Sequence, residues 1–152
     1  MTQQIVFPSK TPHLGLPLLF LGQSQKEPTI NESLTMIDML LCGVVLGTLN
    51  EAPAEPEAGS LWIVGAQPSG VFAGQASNLA GWTEGGWRFA TPVAGMSFHD
   101  RSNGAMKVFN GNWASCGPIV PPSGGAVVDT EVRQTVSSIL AALRSTGIIS
   151  QS

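Results

Sequence analysis

Gly59-Ser60-Leu61-Trp62, Trp82-Thr83-Glu84-Gly85-Gly86-Trp87, Gly95-Met96-Ser97-Phe98 and Phe109-Asn110-Gly111-Asn112-Trp113 decide how this chain is read. Together they make two units on one plan: Gly-x-x-aromatic, a variable excursion, then aromatic, turn, Trp. All four tryptophans fall within residues 59–113, with Phe72, Phe89, Phe98 and Phe109 beside them. Aromatic and β-branched residues suit a pleated, half-buried surface, and Asn-Gly is the strongest short hairpin signal. The pattern predicts an antiparallel β-hairpin domain over residues 59–115, an internal doublet with repeat units at 59–88 and 95–114. Strands are expected at 60–64, 78–82, 87–90, 96–99, 105–109 and 112–115.

Upstream, residues 1–28 carry Pro8, Pro12, Pro17 and Pro28. Proline denies the backbone a helix interior and a central strand, so an extended arm is expected. Its apolar run, Leu14, Leu16, Leu18, Leu19, Phe20 and Leu21, needs burial on its own domain or on a partner. A helix follows over 29–49, with Thr29 and Glu32 at capping-box spacing. Apolar residues Ile30, Leu34, Ile37, Leu41 and Val44 recur in steps of four and three. That stripe fits a helix packed on its own domain, and Leu34, Ile37 and Leu41 equally fit a heptad seam around a symmetry axis. Glu51, Glu55 and Glu57 mark a solvated connector before the β domain.

Downstream, Pro118, Pro121, Pro122, Gly124 and Gly125 make 116–128 a linker. Asp129 is an N-cap candidate for a C-terminal helix over 129–149, with Glu131 in the first turn and Gly147 as a stop. Val132, Val136, Ile139, Leu140 and Leu143 form its apolar stripe. So short a helix on a flexible tether is unstable alone, so it docks on its own domain or bundles with copies of itself, with Val136, Ile139 and Leu143 as the second candidate seam. The expected fold class is α+β: an N-terminal arm and helix, a central antiparallel β-hairpin domain and a C-terminal helix.

Charged residues are 11% of the chain against about 25% in ordinary soluble domains. With 43% hydrophobic residues the composition is that of a folded protein, and its low charge suggests surface covered by other subunits. A net charge of −3 with no basic run points away from nucleic acid. The stretch 30–49 contains Asn31, Glu32 and Asp38, which argues against a membrane span. Met1-Thr2-Gln3-Gln4 lacks a basic segment and a following apolar core, so no signal peptide is expected. Cys42 and Cys116 have neither disulfide-framework nor metal-ligand spacing and are expected to be free.

Candidates for catalysis are sparse. His99-Asp100-Arg101 borders a turn, and Asp100 ahead of Ser102-Asn103-Gly104 is a turn-starting acceptor. Glu84 falls in a hairpin turn and Glu32 in a helix cap. No nucleophile elbow, phosphate loop or zinc motif occurs, so no catalytic residue, metal or cofactor is expected. The aromatics allow two roles. Trp87 and Trp113 with Asn110 and Asn112 fit a sugar-stacking patch, as in a carbohydrate-binding module. The same rings at corresponding repeat positions fit the core of a small β domain, where each buries about 150–250 Å². A small envelope-polymer hydrolase is a further alternative, with His99 and Glu84 as its candidate residues.

An ordered series of motifs runs along the chain: Thr11-Pro12-His13-Leu14-Gly15-Leu16-Pro17, Gly22-Gln23-Ser24-Gln25-Lys26, Asn31-Glu32-Ser33-Leu34, Leu61-Trp62-Ile63-Val64-Gly65, Gly86-Trp87-Arg88-Phe89 and Val108-Phe109-Asn110-Gly111. Over about residues 11–115 this series resembles an uncharacterised domain family, domain of unknown function 2793, of tailed phages, prophages and gene transfer agents. The resemblance implies a virion fibre, spike or tail-tip component, commonly trimeric, made in the host cytoplasm. It implies attachment to other virion proteins through the N-terminal arm, with Leu14, Leu16, Leu18, Leu19, Phe20 and Leu21 as contacts, and possible approach to host surface polysaccharide. It does not imply an enzyme.

Overall fold

The computed structural model describes residues 11, 18, 27–121, 123–125 and 129–150. These form α1 (Glu27–Leu41), β1 (Val44–Val45), β2 (Thr48–Leu49), β3 (Leu61–Val64), a 3₁₀ turn (Gly70–Phe72), β4 (Leu79–Thr83), β5 (Gly86–Ala90), β6 (Ser97–Asp100), β7 (Ala105–Phe109), β8 (Trp113–Ser115) and α2 (Thr130–Ser145). Two helices and two mixed four-stranded sheets make the fold α+β. The chain divides into two compact units. One holds the residues through Gly43 and Thr48–Thr91; the other holds Val44–Gly47 and the residues from Pro92 on.

The first unit's sheet has the order β2-β3-β4-β5. β2 runs parallel to β3, and β3, β4 and β5 form an antiparallel meander. Directly paired residues share a face. Trp62, Ala80 and Phe89 are therefore on one face, with Trp82 and Trp87. Leu61, Ile63, Leu79, Gly81, Arg88 and Ala90 are on the other. Phe72 on the 3₁₀ turn closes the aromatic face, fully buried against Val64 and Ala80 with Leu49, Ala52, Trp87 and Phe89 around it. Its ring meets Trp87 and Phe89 edge-on at 5.0 and 5.9 Å.

The second unit's sheet, β1-β6-β7-β8, repeats the plan: β1 parallel to β6, then an antiparallel meander. The correspondence extends to single bonds. Gly59 N donates to Trp82 O at 2.8 Å, and Gly95 N donates to Phe109 O at 2.9 Å. Trp82 N returns to Ser60 O, and Phe109 N to Met96 O. Gly59 and Gly95 both have φ of +91°, a conformation in which glycine escapes the Cβ penalty. Trp82 faces Trp87 across one hairpin as Phe109 faces Trp113 across the other. The repeated Gly-x-x-aromatic motif is thus the place where each meander ties its first strand to its second hairpin.

Three helix boundaries differ from expectation. The first helix stops at Leu41 rather than 49 because Gly43 takes φ +67° and Val44–Val45 pairs with β6. β-Branched residues gain more in a ladder than in a helix turn. The Thr29–Glu32 capping box does not start the helix, which begins at Glu27. Pro28 is tolerated in the first turn, where its missing N–H has no helical partner, and the Glu32 carboxylate is taken by Arg88. The second helix ends at Ser145 rather than 149. Gly147 at φ +71° lets Gly147 N reach Arg144 O and Ile148 N reach Leu143 O. Its N-cap is the expected one, Asp129 accepting from Val132 N at 2.9 Å.

Candidate functional site

α1 meets its own sheet through Met39 and Glu32. Met39 is buried over Gly81, where a Cβ would stand 2.2 Å from the Met39 sulfur. Burying such a side chain is worth about 1.5–3 kcal/mol. Asp38, 1% exposed, accepts from Thr11 Oγ1 at 2.8 Å. Arg88 clamps Glu32 with two bonds, Nε to Oε2 at 2.8 Å and Nη2 to Oε1 at 2.6 Å. Hydrogen bonding from Arg88, opposed by slight burial and aided by its charge, holds the Glu32 carboxyl below its ordinary range. Glu32 holds Arg88 correspondingly above its own. Both groups reach solvent, so the pair is worth at most about 1 kcal/mol.

The opposite side of α1 is apolar and open. Ile30, Ile37 and Leu41 are 40%, 50% and 70% exposed, and Leu34 is half-buried. Met36, Ile37, Leu40 and Leu41 line an open apolar hollow of about 320 Å³. Between α1 and the β4–β5 hairpin lies a polar groove of about 270 Å³, lined among others by Asn31, Glu32, Thr35, Thr83, Glu84 and Arg88. In the hairpin, Thr83 Oγ1 donates to Gly86 O at 2.8 Å, so Glu84 occupies a solvated turn.

The candidate sugar contacts separate. Trp87 belongs to the first unit, where its ring packs with Trp62, Phe72 and Trp82 at 5.6, 5.0 and 5.1 Å. Trp113 belongs to the second, packed on Phe98 and Phe109 at 5.9 and 5.2 Å. Beside Trp113, Asn110 and Asn112 are exposed. The structure brings Trp113, Asn110 and Asn112 together and assigns Trp87 to the other unit's aromatic cluster.

The His99–Asp100–Arg101 cluster has structural work. Asp100 Oδ1 accepts from Ser102 N and Ser102 Oγ at 2.9 and 2.6 Å, and Lys107 Nζ stands 2.9 Å from Oδ2. Burial pushes the Asp100 carboxyl up. The hydrogen bonds from Ser102 and Lys107, and the Lys107 charge, outweigh it and hold the group below the usual aspartate range. His99 packs where a Cβ on Gly147 would stand, 2.9 Å from its Cε1. This seats the end of α2 on its own unit. Met106 N donates to Gly147 O at 2.6 Å, Ile149 bridges Cys116, and Leu140 and Ile149 are buried. Val132 and Ile139 stay more than half exposed, while Val136 and Leu143 are half-buried. Of the arm residues, Leu18 borders the polar groove; Leu14, Leu16, Leu19, Phe20 and Leu21 lie outside the described residues.

Arg88, Asp38, Met39 and Lys107 carry these arrangements; in the sequence Met36, Met39 and Leu40 widen the apolar stripe toward the helix's own domain and Arg88 and Asp38 fall in the family motifs, but their bonding partners are not legible there. Their partners are far along the chain, 56 residues in the case of Arg88 and Glu32. A further local signal is that Glu32 and Met39 are seven apart, on one side of the helix.

A family profile whose description is "Protein of unknown function (DUF2793)" matches residues 30–114, more than half of the chain. The chain belongs to the DUF2793 family. The match begins within α1, spans β1 to β7, ends within β8 and stops ahead of α2. A search of curated proteins finds no match. Among the described residues of this DUF2793 chain, no helix is long and apolar enough to cross a membrane.

Proposed function

We propose that the protein is a structural, non-enzymatic subunit of a tailed phage or phage-like particle, a fibre, spike or tail-tip component that self-associates, as a trimer, and anchors to other virion proteins. The observation that carries this reading is the two-sidedness of α1: one side docked through Met39 and Glu32, the other apolar and open at Ile30, Ile37 and Leu41. The particle setting draws on the resemblance of the ordered motifs to a family of tailed phages and gene transfer agents. The low charge content supports a surface partly covered by neighbours. Asp100, Glu32 and His99 are taken up by turn, ion-pair and packing roles, which supports a structural part over a hydrolase. The arm leucines, Leu14, Leu16, Leu18, Leu19, Leu21 and Phe20, are the proposed virion contact.

Peptide mass spectrometry and immunogold labelling of purified particles test this. The chain is expected in intact particles at a fixed copy number and lost when residues 1–26 are deleted. Its presence in the lysate but absence from particles overturns the reading. A second reading, a carbohydrate-binding module for host surface glycan, draws on the exposed Asn110 and Asn112 beside Trp113. Glycan-array binding that is lost in Trp113→Ala, with the fold kept, would favour it.

A further inference from the structure

We infer that the aromatic face of the second unit seats a neutral hexose ring against Trp113, over Lys107 and Ser115. This rests on the carbohydrate-binding reading above and moves its polar contacts from the turn at 110–112 onto the sheet. The two meanders match position by position. Their shared bonds align Gly59 with Gly95 and Trp82 with Phe109. Strand register then aligns Trp62 with Phe98, Val64 with Asp100, Ala80 with Lys107, Trp87 with Trp113 and Phe89 with Ser115.

The matched faces keep the same wall and differ in their floor. Trp113 packs on Phe98 and Phe109 at 5.9 and 5.2 Å, as Trp87 packs on Trp62 and Trp82 at 5.6 and 5.1 Å. In the first unit Val64, Ala80 and Phe89 surround Phe72, which the long connection 65–78 folds back over the sheet. In the second unit the corresponding connection, 101–104, is Arg-Ser-Asn-Gly and has no ring to supply. All three positions around Phe72 are polar there: Asp100, Lys107 and Ser115. Had the face only lost its plug, apolar residues would close it, since burying polar groups without partners is costly. Instead, Ser115 is exposed, and the Lys107 side chain keeps 17% exposure while its Nζ stands 2.9 Å from Asp100 Oδ2.

An aromatic wall beside a polar floor suits a pyranose. Its C–H face lies on the indole, and its hydroxyls meet an ammonium and a hydroxyl, the kind of few polar groups that orient a ligand. The ring is neutral because the Lys107 charge is already matched. Asp100 is buried, yet bonds from Ser102 and Lys107 hold it ionised. A uronate or sialate would find no uncompensated cation in this floor.

A glycan array carrying neutral and acidic bacterial surface oligosaccharides, probed with the full chain, tests this. Binding to neutral hexose oligomers is expected, and titrating the tightest of them should move the Trp113 indole and Ser115 amide resonances. Ser115→Phe puts the first unit's residue at this position and should weaken that binding about tenfold or more, with an unchanged melting temperature because the position is exposed. Asn112→Ala should leave the affinity unchanged. Binding that leaves both resonances in place, survives Ser115→Phe or is confined to acidic glycans overturns the inference while the carbohydrate reading stands. Binding to no glycan on the array removes both.

Discussion

At the scale of residues, the fold rests on a few close approaches that only one residue type permits. Gly81 is one. Its missing Cβ is the space that the Met39 sulfur fills, so Gly81→Ala forces the helix off the sheet or the methionine out of its rotamer. Overpacking of this kind costs about 1–3 kcal/mol. Chemical denaturation should show that loss, and Gly81→Ala with Met39→Ala should lose less than the two single changes summed, since the residues share one space. Asp100 gives a pH signature. Its folded pKa is below its free value of 3.8, so its contribution is fully present above that value and is lost as pH falls through the folded one. Hydrogen bonds to a charged group are worth about 1.5–3 kcal/mol. Asp100→Asn should therefore cost about 2 kcal/mol near neutrality, and the gap to the wild type should close below about pH 4. Melting curves from pH 2 to 7 check both parts; a gap that widens toward acid would contradict the sign.

At the scale of elements, the β hairpins were legible because their signals are local. Trp82 and Trp87 flank Thr83-Glu84-Gly85-Gly86, and Phe109 and Trp113 flank Asn110-Gly111-Asn112, so pairing follows from spacing and turn chemistry alone. β1 and β2 were not legible. Val44 continues the helical stripe of Leu34, Ile37 and Leu41, and only its partner His99, 55 positions on, makes it a strand. The docked side of α1 was hidden for the same reason: nothing near Asp38 announces Thr11, and nothing near Met39 announces Gly81. The seam residues were legible as a stripe; that the stripe faces away from its own sheet was not. α2 shows how a local signal persists where tertiary contact is thin. Its buried residue, Leu140, lies in the second half, so the first turns depend on the Asp129 cap. Asp129→Ala should cost about 1 kcal/mol. Hydrogen exchange should rise at the amides of 130–136 and stay unchanged at Ile149, which is held by Cys116.

At the scale of the whole molecule, the chain is laid out as two copies of one meander, each with its own aromatic cluster and its own parallel edge strand. The edge strands are exchanged in an unusual order. Residues Val44–Gly47 leave the first unit after α1, give the second unit its β1, and return at Thr48 to give the first unit its β2. Val45 is completely buried there, and Arg101 N donates to Val45 O at 2.9 Å. A two-residue strand has little stability of its own; β1 pairs with β6 in the second unit, while the chain enters it from α1 and leaves it into β2. Unfolding of the first unit releases the chain on both sides of β1 and is expected to loosen its pairing with β6. The two units should therefore lose structure together even though each has a separate core. Tryptophan fluorescence can separate them, because Trp62, Trp82 and Trp87 report on the first unit and Trp113 on the second. In a variant with Trp62, Trp82 and Trp87 replaced by Phe, the Trp113 signal should move to lower denaturant when Gly81→Ala is added, although Gly81 is in the other unit. Val45→Ala, which removes about 2 kcal/mol or more of buried contact from the second unit, should shift that same signal further. A Trp113 midpoint that ignores Gly81→Ala would mean that β1 keeps its place without α1 and β2, and that the two meanders are independent folding units.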